Sequence, residues 1–502
     1  MKRVIIITIL FCAARMGDIL AQEASDALLL SQYYSGGTAR SAGMSGAFGA
    51  LGGDLSVLST NPAGLGVYRG SEFTFTPAIL STNVSSKFDN AKFNERNLKM
   101  VFNNVGYVYT RNFFNQKGLQ SINFGFAYNK LSDFKADAYI DVNANSSMLD
   151  YFVMYANGYV PDDLDPWRSQ LAYDSYAIDT DNNKVYYSDY DDFGYYGQPM
   201  VRSTEYRGGI GEYDISLGAN INHQWYLGFT WGIQNTLYEE NYSHEESPRF
   251  QEASYSGHIL QSFTYNSQYM MSGWGMNAKI GVIYRPMQLL RFGLSVHTPT
   301  HNWMRNEWTT DMSASFNRPP ASDQSNVVPA ESPLSENKFR VSTPWRYNAS
   351  AAVLFGDIAL IDVDAEFVNY SSISMMPDRF YHTKNQNISR EFANALNLKI
   401  GAEFRLGPVS LRAGTAYYGS PYKDSYKIEN IPAFDNEVKN KATFCYSGGI
   451  GYRTSGFYLD AAYSYMKYPK YYDDMYEIPG KIVSSVFQKS SGKFLLTFGF
   501  RF

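Results

Sequence analysis

The sequence has little cysteine, little charge and, beyond its first residues, no long apolar run; each shortage excludes something. Of its 502 residues only Cys12 and Cys445 are cysteine. Cys12 lies in what reads as a removed leader, so the exported chain keeps one thiol and can form neither an internal disulfide nor a Cys-based zinc site. Charged residues make up 18% of the chain, 43 basic against 48 acidic, for a net charge of −5. With no long Lys/Arg run there is no basic surface to neutralise phosphates, which argues against nucleic-acid binding. No stretch after the N-terminus approaches the roughly eighteen consecutive apolar residues of a spanning helix. The GxSxG, HExxH and GxxxxGK[ST] patterns are missing too, so no catalytic site is nominated and the chain reads as a non-enzyme without a cofactor or a metal centre.

What the chain does have is aromatic residues, 16% of the total with 42 Tyr and 33 Phe, and 40 Gly. A disordered chain is poor in aromatics and high in net charge, and this one is neither. A sequence of negative mean hydropathy that is short of charge yet rich in Tyr, Phe and Gly suits many strands with two unlike faces. That points to all-β structure, and first to a large membrane barrel.

Residues 1–21 read as a secretory signal peptide: Lys2 and Arg3 form the basic start, Val4 to Ala14 the apolar stretch, and Ile19-Leu20-Ala21 the cleavage site, with Ala14 an alternative. The apolar stretch is too short for a spanning helix, which needs about twenty residues. A lipoprotein reading of Cys12 fails on the bulky Phe11 before it. The exported protein is therefore either soluble or an outer-membrane barrel.

The C-terminus decides between them. In KFLLTFGFRF, Phe494, Leu496, Phe498, Phe500 and Phe502 share one face of a strand, and Leu495, Thr497, Gly499 and Arg501 share the other. Apolar side chains at every second position, with small or charged groups between, make a lipid-facing strand. The alternating Phe498, Phe500 and terminal Phe502 also resemble the signal that such barrels present to their assembly machinery. Strand-like runs elsewhere fall at 70–82, 99–111, 119–131, 212–222, 225–237, 275–284, 289–298, 341–354, 358–370, 394–405, 409–418, 441–452 and 457–468, fourteen with 493–502. Short links at 112–118, 223–224, 285–288, 355–357, 406–408 and 453–456 alternate with long ones at 83–98, 132–211, 238–274, 299–340, 371–393, 419–440 and 469–492. Short turns on one rim and long loops on the other are the mark of an outer-membrane barrel. Within 255–268 a further hairpin strand above the membrane is an alternative to loop. The parity of 358–370 sends Asp362, Asp364 and Glu366 into the lumen, because a charge facing lipid at mid-depth costs about 2–4 kcal/mol. Parity likewise turns Cys445 inward as a small packing residue.

Residues 22–69 precede the first strand and lack alternation. Small residues, Gly43, Gly46, Gly49, Gly52 and Gly53 and then Pro62 suggest short helices and tight turns, and the economical place for such a segment is inside the barrel, as a plug. The chain thus divides into a leader (1–21), a plug (22–69) and a barrel (70–502). The run Thr38-Ala39-Arg40-Ser41-Ala42-Gly43-Met44-Ser45-Gly46-Ala47-Phe48, followed by Asn61-Pro62-Ala63-Gly64-Leu65, resembles the hatch of the FadL/TodX family of outer-membrane transporters for hydrophobic compounds. Gly281 to Pro286, Arg291 to Ser295 and Thr343-Pro344-Trp345 give weaker echoes of its central strands. The chain departs from the family pattern at Ser45-Gly46 and at Gly52-Gly53-Asp54.

The resemblance implies a fourteen-stranded plugged barrel in the outer membrane of a Gram-negative cell. It also implies passive uptake of an apolar small molecule, by default a long-chain fatty acid, with lateral release into the bilayer. Arg40, Gly43, Met44, Gly46, Phe48, Asn61, Pro62, Ala63, Gly64 and Leu65 are the plug residues it singles out, and the lipid bilayer, the ligand and the assembly machinery are the partners. A docking or shuttle barrel for protein secretion, using the 132–211 and 299–340 loops, is the alternative function; haemin binding through His297 and His301 is another. The DTDNN stretch offers Asp179, Asp181 and Asn183 at calcium-loop spacing, but Lys184 stands where Gly is needed. The Tyr-rich 173–196 segment reads as a loop cap.

Overall fold

Alternation between outward apolar and inward polar side chains drives the chain into long antiparallel ladders, and in lipid such ladders must close so that no edge is left unpaired. The computed structural model describes residues 24–34, 36–113, 115, 117–181, 184–190, 196–247, 258–322, 324–423 and 442–502. The leader read at 1–21 and Asn183 lie outside the described residues. Fourteen strands form the closed wall: β1 (Glu72–Phe88), β2 (Ala91–Asn112), β3 (Leu119–Asp133), β4 (Gln198–Ile221), β5 (Trp225–Glu246), β6 (Leu260–Tyr284), β7 (Leu290–His297), β8 (Arg346–Phe355), β9 (Ala359–Asn369), β10 (Asn394–Leu406), β11 (Val409–Tyr418), β12 (Thr443–Arg453), β13 (Phe457–Ile478) and β14 (Lys481–Arg501). Each pairs antiparallel with the next, and β1 closes on β14 from Glu72↔Arg501 to Lys87↔Val486.

The lower rim carries the short turns. Between β4 and β5, Asn222 and His223 both take positive φ (57° and 54°), and Gln224 N–H donates to Ile221 O at 3.1 Å. That is the type I′ turn whose twist matches a hairpin, in residues that tolerate the left-handed region. Gly356 and Gly407, both at φ 60°, turn the β8–β9 and β10–β11 links. Phe494, Phe500, Tyr446 and Ile450 are exposed on the outer face, while Leu495, Thr497 and Cys445 are buried inside, as their parity requires.

The upper rim differs from the sequence reading. The 83–98 and 469–492 segments continue the ladders to tight turns after Phe88 and Ile478, and 255–268 is largely the upper half of β6. Segment 299–340 holds strands 301–316, 327–331 and 335–342; the first pairs with the top of β6, and the other two pair with the first. What read as one strand over 341–354 is two, broken at Thr343-Pro344-Trp345, where proline has no N–H to give a ladder. Segment 132–211 holds strand 136–144, helix α1 (Met148–Ala156), helix α2 (Ser169–Asp174) and the upper half of β4. Above the bilayer neither face meets lipid, so runs such as Glu239-Glu240-Asn241-Tyr242 carry no alternation and their strand character is invisible in sequence.

These upper elements bury their own apolar core. Leu149, Phe152, Leu171 and Tyr190 of the α1–α2 insert pack against Met200, Phe263, Tyr265, Met312 and Phe487 from the tops of the wall strands. A second cluster joins Ala27, Leu28 and Leu30 at the N-terminus to Met271, Met304 and Met375 and to helix α3 (Asp378–Glu391) through Tyr381 and Ile388. Below both, residues 38–67 lie almost wholly buried within the wall.

Candidate functional site

The buried segment is built from three short helices tied to one another. Thr38 caps the turn Ala39–Ala42 by accepting Ser41 N–H at 3.3 Å, and its hydroxyl donates to the Asp54 carboxylate at 2.7 and 2.9 Å. Asp54 in turn accepts Ser56 N–H at 3.0 Å and so caps the 3₁₀ turn Leu55–Ser59. Asn61 caps a further 3₁₀ turn, Pro62–Val67: its Oδ1 accepts Ala63 N–H at 3.2 Å while its Nδ2 donates to Gly49 O at 2.7 Å. Pro62 follows it at the first helical position, where a missing N–H costs nothing. One asparagine therefore fastens two parts of the segment together. Ser45 and Gly46 take positive φ, 51° and 76°, and turn the chain back after Met44.

Ion pairs and carboxylates anchor this segment to the wall. Arg40 donates to both oxygens of Glu403, at 2.9 and 3.2 Å, and its guanidinium lies 5.0 Å from the Phe48 ring. Glu403 also accepts from Arg412 at 2.7 Å, and Arg412 and Arg453 share Asp460 at 2.7 and 2.8 Å. Phe48 N–H and Gly49 N–H both donate to Asp364 Oδ2, at 2.9 and 3.1 Å. Ser59 donates to Asp214 at 2.7 Å, and Thr60 O accepts from His297 Nε2 at 2.6 Å and from Ser295 at 3.0 Å. Removing one member of such a buried network leaves another without a partner, which costs more than the bond itself is worth.

Glycines in the wall give the segment its room. A Cβ at Gly401 would stand 2.7 Å from Met44 Cβ, and one at Gly218 2.9 Å from Leu65 Cβ. At Gly228 it would strike Pro62, at Gly281 Asn61, and at Gly414 Met44. Backbone meets backbone here, as in other places where only glycine fits.

The residues singled out from sequence are thus brought together: Arg40, Gly43, Met44, Gly46, Phe48, Asn61, Pro62, Ala63, Gly64 and Leu65 all lie in this one buried body. Sequence reasoning missed the wall side of the contact, Glu403, Arg412, Asp460, Asp214, Lys279 and the glycines. Strand parity, which correctly turned Asp362, Asp364 and Glu366 inward, could have found the charged ones. His297 and His301 do not converge: His297 is buried against Thr60, whereas His301 is exposed, so the haemin reading loses its geometry. Among the described residues no group of three or more His, Cys, Asp or Glu is placed to hold a metal ion.

Above this body is a cavity of about 80 Å³, bounded by Tyr33, Asn61, Glu212, Lys279, Arg346 and Glu366 among others. It is small beside the roughly 300–1,000 Å³ of small-molecule pockets, and charged groups stand among its largely apolar surface. Lys279 is held there by Glu212 and Asp214 at 2.6 and 2.9 Å, and Arg346 by Glu366 at 3.1 Å. Each of these cations is thus paired within the cavity wall.

The wall is interrupted beside it. The β2–β3 ladder runs only from Asn112↔Ser121 to Asn104↔Asn129, although β2 continues up to Ala91 and β3 to Asp133. Above the last rung the N-terminal segment takes the place of β2: Tyr34 N–H donates to Leu131 O at 3.3 Å, and Asn103 Nδ2 donates to Gly37 O.

The profile of the outer membrane protein transport protein family (OMPP1/FadL/TodX) matches residues 19–472. A solved FadL homologue from Pseudomonas aeruginosa is similar in fold, with a TM-score of 0.54 and 12% identity over 94% of this chain and 99% of its own. The toluene transporter TodX of P. putida gives a TM-score of 0.53 and 11% identity over 93% of this chain and 99% of its own. Comparison with curated proteins gives no match. With the family profile covering most of the chain and a closed fourteen-stranded wall around a buried N-terminal segment, the chain belongs to the OMPP1/FadL/TodX family of outer-membrane transport proteins.

Proposed function

We propose that this family member takes up hydrophobic small molecules passively, that residues 22–69 act as its plug, and that cargo leaves sideways into the bilayer between β2 and β3. The observation that carries the reading is the interrupted β2–β3 ladder, bridged by the N-terminal segment instead of by the neighbouring strand. A hole in a membrane wall leaves backbone groups without ladder partners, and a protein keeps one only where something else satisfies them. Here Leu131 O and the Asn103 side chain are satisfied by Tyr34 and Gly37, whose withdrawal would leave the wall ladders intact. The ion pairs in the lumen support the same route, since a greasy cargo is better passed to lipid than past charged groups. Long-chain fatty acids are the default cargo; a monoaromatic such as toluene, named for the P. putida neighbour, is the other class to assay.

A disulfide tests the exit. Tyr34 and Leu131 are joined by a backbone hydrogen bond, which places their Cα atoms at about the 4.4–6.8 Å that a disulfide spans. In a Cys445→Ser background, needed because Cys445 packs beside Tyr34, oxidised Tyr34→Cys/Leu131→Cys protein is expected to lose uptake of labelled oleate and to regain it on reduction. Equal uptake by the oxidised and reduced forms would remove the exit from this place. The docking alternative draws on Tyr155, Tyr159 and Tyr196, exposed on the upper insert. Loss of surface display of other proteins on gene deletion, with oleate uptake intact, would favour it.

A further inference from the structure

Away from the lumen, the outer face of β13, β14, β1 and β2 changes character along one line. Upward on β1 the outward residues are Phe73, Phe75, Pro77 and Ile79, then Ser81, Asn83 and Ser85; on β14 they are Phe500, Phe498, Leu496 and Phe494, then Gly492, Ser490 and Gln488. The flanking strands stay apolar one step longer, to Tyr465 and Leu98, and then turn basic at Lys467 and Arg96. Pairing sets these two cations in one row, Lys467↔Ser490↔Asn83↔Arg96. From Phe73 to Asn83 is ten residues, a rise of roughly 26 Å at about 3.4 Å each and a tilt of about 40°. The apolar band of such barrels is about 25 Å tall, so the row lies at its upper edge, at the head groups of the outer leaflet.

Every charge that faces outward in this row and the two above it is basic: Lys467 and Arg96, then Lys470, then Lys87 and Lys92. Glu95, next to Arg96 in β2, belongs to the other face. Arg96 Nε donates to the Ser81 hydroxyl at 3.3 Å, and among the described residues neither Arg96 nor Lys467, both exposed, pairs with a carboxylate. Two outward arginines elsewhere on the upper wall are matched in place: Arg207 pairs with Glu205, and Arg305 with Glu307 and Glu336 at 2.6 and 2.9 Å. Between Lys467 and Arg96 the wall is low, built from Gly492, Ser490, Ser81 and Asn83, and the Tyr463 hydroxyl leans over it where a Cβ on Gly492 would strike it. Cations held at a membrane surface attract anionic head groups, and an arginine meets a phosphate with two parallel donors.

We propose that this row seats a phosphorylated glycolipid of the outer leaflet, with its phosphates on Arg96 and Lys467 and its sugars over Ser490 and Asn83. Three strand spacings of about 4.8 Å put the two cations about 14 Å apart at their Cα atoms, a span that a disaccharide with a phosphate at each end fills once both long side chains lean inward. The Ser81, Ser490 and Tyr463 hydroxyls lie between them as donors to sugar and phosphate oxygens. Below, the acyl chains run over Phe494, Ile79 and Met100, which share the next row but one. Met100, at 77%, is the most exposed large apolar side chain among the described residues, so a chain laid on it covers surface that the wall leaves bare. The site is on the lipid side of the wall, apart from any route through the lumen, and it concerns how the barrel sits in its membrane.

Native mass spectrometry of the full-length barrel in non-ionic detergent tests this, with EDTA present so that no divalent ion masks the phosphates. The probes are bisphosphorylated lipid A and the same lipid stripped of its phosphates. Wild type is expected to bind the phosphorylated form at least about tenfold more tightly, as two phosphate contacts at a membrane surface allow. Arg96→Gln/Lys467→Gln should bring the two within about twofold, with oleate uptake and the heat-modifiable gel shift of the folded barrel unchanged. Arg96→Lys/Lys467→Arg, which keeps both charges, should retain most of the preference, and Arg207→Gln/Arg305→Gln, which removes matched cations, should retain all of it. Equal affinities in wild type, a preference that survives the first pair, or one lost equally in the Arg207/Arg305 pair would overturn the site. Phosphatidylglycerol displacing lipid A at equal concentration would overturn the glycolipid assignment and leave a general attraction for anionic lipid.

Discussion

Asn61 shows how much a single side chain can hold. Its amide joins Gly49 O to the start of the 62–67 turn, and its Oδ1 fills the space that Gly281 leaves by having no side chain. Asn61→Ala removes two hydrogen bonds and strands a buried carbonyl, which at about 1–3 kcal/mol for an unsatisfied group is enough to loosen the plug without unfolding the wall. The expected outcome is faster amide hydrogen exchange at Ala63 and Gly64 and lower oleate uptake, with the heat-modifiable shift of the barrel unchanged. Unchanged uptake would show that plug position is set elsewhere, and the Arg40–Glu403 pair would be the next place to look.

At the scale of the element, plug and wall were shaped against each other. Gly281 of β6 lies against Asn61, and Gly293 of β7 lies against the Gly49 carbonyl. Gly281→Val puts carbon where the Asn61 amide now sits, and β-branched residues are otherwise welcome in a strand. The wall should therefore assemble while the plug is displaced, seen as a raised single-channel conductance in planar bilayers over that of wild type. A closed, wild-type conductance would mean that the plug adapts in place. The same scale explains a departure from simple strand reading. In β2, Leu98, Met100 and Phe102 face out, and so do Tyr107 and Tyr109, so the outward parity changes along one strand. The register shift at Thr76/Pro77 is responsible: Thr76 pairs with Asn104 and Pro77 with Phe102, leaving Asn103 without a partner position on β1. Proline cannot donate to the ladder, and the extra residue it permits is the one that reaches both Gly37 and Lys493.

For the whole molecule, the C-terminal strand closes the barrel. Ser71 and Phe502 exchange backbone hydrogen bonds at 3.1 Å in both directions, and the Phe502 ring stacks on Tyr107, 6.0 Å between centres. Deleting Phe502 removes one apolar side chain from the outer face and the last residue of the assembly signal proposed from sequence. The amount of folded barrel in the outer membrane is expected to fall several-fold by heat-modifiable electrophoresis, with uptake per folded molecule unaltered. A normal yield would remove Phe502 from any assembly signal. The molecule also stands taller than its membrane span. The tops of β1–β2, β4–β6 and β13–β14 continue upward and enclose the α1–α2 insert in an apolar core of its own.

The period of two in the membrane strands was legible without coordinates because lipid outside and a charged lumen inside press opposite demands on successive residues. It fixed the count of fourteen strands, the inward carboxylates of β9 and the closing strand. The plug residues were legible for a different reason, as a run of small residues and one Asn-Pro corner resembling a known hatch. Three things were not in the sequence. Strand lengths above the bilayer were hidden because water lies on both sides there. The partners of the plug were hidden because Arg40 and Glu403 are 363 residues apart and meet only once the wall has closed. The break in the β2–β3 ladder was hidden because a missing rung is a property of neighbours in space, which tertiary structure alone assigns.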